Sequence, residues 1–147
     1  AYDEELALEI ERARRGSTPL ALLVIDLDDF GQVNKAHSLQ VGDLVLSTFA
    51  DVLRSTARTV DAVCRRGGEE FAVVLPDTGC VEAQRFCARL RHEIGFTQFP
   101  TIGRLTFSAG LTELRADDTA ETVDERASRL MNESKRAGKD RVTHDCT

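Results

Sequence analysis

"AVCRRGGEEFAVVLP" spans residues 62 to 76 and consists of two apolar segments separated by Gly67 and Gly68. A Gly-Gly pair between such segments predicts a β-hairpin, and Pro76 stops the second strand. The unusual part is Glu69-Glu70, two adjacent carboxylates placed between the glycines and the apolar run that starts at Phe71. Carboxylates at the end of a buried sheet are costly unless something compensates their charge.

The rest of the chain arranges itself around this hairpin. Residues 3–15 place Leu6, Ile10 and Ala13 at helical spacing, and Gly16 ends the pattern. "PLALLVIDLD" at 19–28 is apolar until its end and predicts a fully buried strand. Val41, Leu44, Val45, Phe49, Val52 and Leu53 predict a helix over 41–57. Ala83, Phe86, Cys87, Leu90 and Ile94 predict another over 80–94. "LTFSAGLT" at 105–112 alternates as a half-buried strand does. A helix carrying Val123, Ala127, Leu130 and Met131 follows, then a short strand at 140–144. After the leading helix the order is β-α-β-β-α-β with an added α-β. That is an α+β chain whose first six elements are ferredoxin-like.

Composition narrows the function classes. A chain of 147 residues with 41% hydrophobic and 30% charged residues fits one soluble globular domain. The longest apolar run, 19–25, is far short of the roughly 20 residues a membrane helix needs. The net charge of −6, with no basic stretch interleaved with aromatics, argues against nucleic-acid binding. The four cysteines form no CxxC pair and have no histidine at zinc spacing, so they are expected to be reduced packing residues. His37, His92 and His144 are scattered and are assigned no role.

Two places carry acids against the apolar trend: "VIDLDDF" at 24–30 and the hairpin glutamates. In a ferredoxin-like order these are neighbours, so Asp26 is expected to face Glu69. One such acid alone reads best as a solvated strand end, but the whole set asks for a cation. Oxygen-only ligands suit Mg²⁺ or Mn²⁺, and the start of the helix after "DDF" would favour a nucleoside triphosphate nearby.

"GGEEF" at 67–71 closely resembles the signature of the GGDEF domain, the diguanylate cyclase family. "DLDDF" at 26–30 resembles the family's DxDxF, Asn34 and the "GD" at 42–43 fall at its spacing, and "SKRAGKD" at 134–140 resembles its closing segment. The resemblance covers nearly the whole chain and implies a nucleotidyl-cyclase palm-like sheet flanked by helices. It implies condensation of two GTP into cyclic di-GMP and pyrophosphate, with two Mg²⁺ (or Mn²⁺) per active site and a homodimer bringing two GTP together. Residue by residue, it implies metal binding by Asp26, Glu69 and the Leu27 carbonyl, and activation of the 3′-hydroxyl by Glu70. It further implies guanine recognition by Asn34 and Asp43, and phosphate contacts from the Phe30 and Gly31 amides and from Lys135 and Lys139. Asp28 is left outside the metal set, as a ligand or a local cap. "RTVD" at 58–61 matches the family's inhibitory R-x-x-D, so Arg58 and Asp61, with Arg89, are implied to bind the product.

The chain departs from the family pattern at Gly31, Lys35, Ser38, Leu39 and Lys139, none of them an implied metal ligand. These departures keep open a second reading, a catalytically weak domain that acts as a cyclic di-GMP receptor. The family's opening Asp-x-Leu-Thr segment would precede Ala1, and the chain starts without an initiator Met. It is therefore expected to be one GGDEF domain, residues 1–147, excised from a longer protein with an N-terminal sensory or regulatory region. GTP as substrate implies the cytoplasm, with a membrane-anchored parent left open.

Overall fold

A computed structural model of the chain describes residues 1–146. The chain runs α1 (Tyr2–Gly16), β1 (Leu20–Leu27), α2 (Phe30–Ala36), α3 (Leu39–Thr56), β2 (Ala62–Gly67), β3 (Glu70–Pro76), α4 (Cys80–Phe96), β4 (Phe107–Glu113), α5 (Ala120–Arg136) and β5 (Arg141–His144). The strands form one sheet in the order β2-β3-β1-β4-β5. Only β4 and β5 are parallel, joined by the α5 crossover. The first four strands have the ferredoxin-like arrangement, and β5 extends it at one edge.

β1 explains why the sheet is covered twice. Side chains alternate across a strand, so an all-apolar strand needs cover on both faces. Ala21, Leu23, Ile25 and Leu27 pack against Val45, Phe49 and Leu53 of α3 and Phe86 and Leu90 of α4. Leu20, Leu22 and Val24 pack against Leu6 and Ile10 of α1 and Val123, Ala127 and Met131 of α5. Each leucine buried this way contributes about 1.5–3 kcal/mol.

Helix ends follow local chemistry. Ser17 leaves α1 in the left-handed conformation, Ser38 caps α3 by accepting from the Val41 amide at 3.2 Å, and Thr119 with Thr122 closes a capping box on α5. The stretch after "DDF" holds two helices, with the chain breaking at His37 and Ser38 between α2 and α3.

β4 differs from the half-buried strand predicted from its alternation, because both of its faces are buried. α5 lies so close that a Cβ on Gly110 would sit 2.1 Å from the Ala127 carbonyl oxygen. The polar residues of this face are satisfied instead of solvated: the Ser108 hydroxyl donates to Asp28 at 2.6 Å, and that of Thr112 to Asp145 at 2.9 Å.

The cysteine expectation also needs correction. Cys80 and Cys146 form a disulfide, their Cα atoms 5.6 Å apart across 66 residues of sequence. β5 returns the chain to the start of α4, a juxtaposition that spacing along the sequence cannot reveal. Cys64 and Cys87 are free, and burial pushes the Cys87 thiol up to about 12. Among the described residues no helix is long and apolar enough to cross a membrane.

Candidate active site at the hairpin end of the sheet

The register of β1 against β3 places Asp26 opposite Glu70, and the Leu27 amide donates to the Glu69 carbonyl at 3.3 Å. The predicted meeting of β1 acids with the hairpin is therefore observed, with Glu70 rather than Glu69 directly across from Asp26. A shift in register between Arg65 and Gly67 lets the turn close. Neither Gly67 nor Gly68 has a positive φ, and a Cβ on either would meet no atom within 4 Å. What the glycines leave is open space above the turn, where a ligand can come close to the backbone.

Asp26 is 5% exposed and faces α5, because it lies on the same side of β1 as Leu22 and Val24. Its carboxylate accepts from the Lys135 ammonium at 2.5 Å. Burial pushes the Asp26 pKa up; Lys135 opposes this, and the nearby Glu69 and Glu70 charges add to the rise. Asp28 is buried and fully used, accepting from Thr106 and Ser108 hydroxyls and from the Asp140 amide. It ties strands and loops together. Asp29 adopts the left-handed conformation at the start of α2, and Lys139 reaches it at 2.5 Å. Gly138, Lys139 and Asp140 all have positive φ, which folds the segment after α5 back onto residues 28 and 29.

Phe30 is buried in the core, while Gly31 lies exposed with nothing near its Cα face. Asn34 packs against α3 so tightly that a Cβ on Gly42 would lie 2.1 Å from its Oδ1. That oxygen is the one buried side-chain polar atom left without a partner among the described residues. Asp43, exposed on the next position, lines a cavity of about 310 Å³ with Arg65, Cys64 and Phe71, and the Arg65 guanidinium lies 5.5 Å from the Phe71 ring centre.

Glu70 is held from its own hairpin. The Arg66 guanidinium donates to the Glu70 carboxylate and, at 3.0 Å through two nitrogens, to Asp124 of α5. Arg66, Asp124 and Ser128 were not singled out from the sequence. Their only signals were an arginine directly before the Gly-Gly pair and a polar stripe on α5 at spacing of four residues.

Among the described residues no three ligating side chains converge. Asp26 lies near enough to Glu69 to feel its charge, and the Leu27 backbone pairs with that of Glu69, so the donors available here are all oxygen. That set fits Mg²⁺, which is commonly held by one or two carboxylates with water and substrate phosphates completing its shell. The cation that meets Asp26 is Lys135.

A second site lies at the opposite end of β3. Arg58 donates to Asp61 through its amide at 2.8 Å and its guanidinium at 2.9 Å, and also to the Pro76 carbonyl and the Thr78 hydroxyl. The hydrogen bond to Asp61 is the main cause of a raised Arg58 pKa. Arg58, Asp61 and Arg89 share a cavity of about 250 Å³ with Thr78, Glu82 and Arg85. The structure thus brings together Arg58 and Asp61 of the R-x-x-D motif and Arg89, taken from the family's second arginine position. Arg85 joins them unforeseen, one turn before Arg89 on α4.

The family described as "Diguanylate cyclase, GGDEF domain" matches residues 1–141. This chain belongs to that family. The GGDEF domain is similar to diguanylate cyclase DgcP of Pseudomonas aeruginosa, 37% identical over 97% of this chain and 22% of that protein. It is 35% identical to the response regulator PleD of Caulobacter vibrioides over 90% of this chain and 31% of that protein. The chain therefore spans less than a third of these relatives. The GGDEF domain of DgcB from Caulobacter crescentus, solved in complex with c-di-GMP, superposes with a TM-score of 0.92 at 31% identity, covering 98% of this chain and 88% of that one.

Proposed function

We propose that this chain is the catalytic domain of a diguanylate cyclase that joins two GTP into cyclic di-GMP, as part of a longer protein. The observation that carries the reading is that β1 brings Asp26 to the hairpin glutamates, Glu70 directly across from it, at the same end of the sheet where Lys135 meets Asp26 and Lys139 meets Asp29. Acids and cations gathered there match what phosphoryl transfer requires: metal-binding oxygens, a carboxylate for the attacking hydroxyl, and positive charge for the phosphates.

In this reading Asp26, Glu69 and the Leu27 carbonyl hold two Mg²⁺ (or Mn²⁺), which supply Lewis-acid stabilisation of the attacking and leaving oxygens when bound. Glu70 accepts the proton of the 3′-hydroxyl as that oxygen attacks the α-phosphorus of the other GTP and pyrophosphate leaves. Lys135, freed from Asp26, and Lys139, freed from Asp29, turn to the phosphates. The Phe30 and Gly31 amides orient the same groups, and the bare Gly31 and the Gly67-Gly68 turn leave them room. Asn34 and Asp43 read the guanine edge; a base N–H or a turn of the amide gives the orphaned Asn34 Oδ1 its missing donor.

One site of this kind holds one GTP, so the reaction needs a homodimer with two sites face to face. Arg58, Asp61 and Arg89 bind the product and inhibit turnover, Arg85 adding charge to the same pocket. GTP as substrate argues for the cytoplasm, and relatives more than three times as long as the matched domain argue that it belongs to a longer protein.

The test is incubation of product-stripped protein with GTP and Mg²⁺, followed by nucleotide chromatography. Cyclic di-GMP is expected, and Glu70→Ala should abolish it while leaving the fold and product binding intact. A receptor role is favoured instead if GTP stays intact while cyclic di-GMP binds tightly. The carboxylates of Asp26 and Glu70, both engaged by basic side chains of the same chain, are the observation on its side.

A further inference from the structure

We propose that Arg66 is a positioning residue for Glu70, itself set in place by Asp124 and, through Asp124, by Tyr2 at the start of α1; this rests on the catalytic reading of Glu70. A continuous line of hydrogen bonds supports it. The Tyr2 hydroxyl donates to Asp124 Oδ1 at 2.5 Å. Asp124 accepts from Arg66 Nε and from a terminal nitrogen, each at 3.0 Å, and the Ser128 hydroxyl takes a further bond. The remaining terminal nitrogen of Arg66 points at Glu70.

The geometry of the fork matters here. Two parallel bonds to one carboxylate fix the plane of a guanidinium, so its free nitrogen has a single direction to offer. A lysine carries one point of charge and cannot hold Asp124 in two places and Glu70 in a third. The line is also sheltered: Tyr2 is 8% exposed, and the side chains of Arg66, Asp124 and Glu70 are 20%, 24% and 29% exposed. Shelter and charge together make these bonds stronger than ordinary surface pairs. Tyr2 touches neither substrate nor reacting atoms. It reaches Glu70 only by way of Asp124 and Arg66, which places the beginning of α1 in mechanical contact with the chemistry.

The test is a double-mutant cycle on product-stripped protein with GTP and Mg²⁺, comparing wild type, Tyr2→Phe, Arg66→Lys and the pair. Arg66→Lys should lower kcat about tenfold, the usual loss for one charge-assisted hydrogen bond, with KM for GTP and cyclic di-GMP affinity unchanged. Tyr2→Phe should lower kcat about threefold, and the double variant should be no slower than Arg66→Lys alone, because Tyr2 acts only through Arg66. Independent, multiplying effects, or an unchanged kcat in Arg66→Lys, overturn the proposal. A second readout needs neither metal nor nucleotide: the NMR signal of Arg66 Nε–H should be protected from solvent exchange in wild type and lose protection in Asp124→Asn. Free exchange in wild type overturns the clamp itself. Absence of turnover by a wild-type protein with a protected Arg66 signal strikes instead at the diguanylate cyclase reading, and with it at any role of Arg66 in catalysis.

Discussion

Lys135→Met tests the charge balance at the centre of the candidate site. Lys135 and Asp26 meet at 2.5 Å, the lysine side chain 34% exposed and that of the aspartate 7%. Removing one partner of a fully buried ion pair costs about 3–5 kcal/mol, because the other charge is left without compensation. Here the cost is smaller. Lys135 is partly solvated already, and Asp26, whose pKa burial has raised, can relieve itself by taking a proton. A loss of about 2 kcal/mol is expected in the absence of divalent cations. The assay is urea denaturation at neutral pH, with and without millimolar Mg²⁺. If Asp26 and Glu69 hold a metal, Mg²⁺ should recover more stability in Lys135→Met than in wild type, where the ammonium competes for the same carboxylate. The sign with pH follows from the raised Asp26 pKa. A buried carboxyl that holds its proton more tightly when folded loses stability as pH rises through its ordinary value and above. Without Lys135 that loss should steepen, and the variant should approach wild type in acid. Equal stability of the two proteins at neutral pH without Mg²⁺ would refute the reasoning.

Other predictions concern separate parts of the molecule. Arg58→Ala removes the guanidinium that links Asp61, Pro76 and Thr78, and isothermal titration should show cyclic di-GMP affinity falling at least tenfold while Mg²⁺ affinity is unchanged. The Arg126 guanidinium beside Asp118 holds that carboxyl well below the usual range. Its stabilising effect is present above the ordinary carboxylate value of about 3.9 and is lost as pH falls below it. Thermal melts of Asp118→Asn should therefore lack part of the acid destabilisation seen in wild type. Reducing the Cys80–Cys146 pair frees a loop of 66 residues and should lower stability by up to about 4 kcal/mol, seen as a lower Tm in dithiothreitol; Cys80→Ser should then show no response to reductant.

Local chemistry made much of this legible in advance. The apolar run 19–25 predicted a buried strand, the 3.6-residue stripes of α3, α4 and α5 predicted amphipathic helices, and two acid-bearing segments expected side by side asked for compensating positive charge. Arg58, Asp61 and Arg89, singled out by the family resemblance, line one cavity, since Arg58 and Asp61 lie in one turn and Arg89 lies on α4 beside it.

Tertiary structure alone decided the rest. The strand register set Glu70, rather than Glu69, across from Asp26, because the antiparallel pairing of β1 with β3 runs unbroken from Leu20–Pro76 to that pair. The close approach of α5 to Gly110 turned an alternating strand into one buried on both sides. The Cys80–Cys146 bond and the line from Tyr2 through Asp124 and Arg66 to Glu70 join residues far apart in the chain, Tyr2 and Asp124 by 122 positions. Periodicity reports which face of an element is apolar. It carries no information about which polar side chain of another element will arrive at a given point, and at this site those arrivals set the charge around each carboxylate.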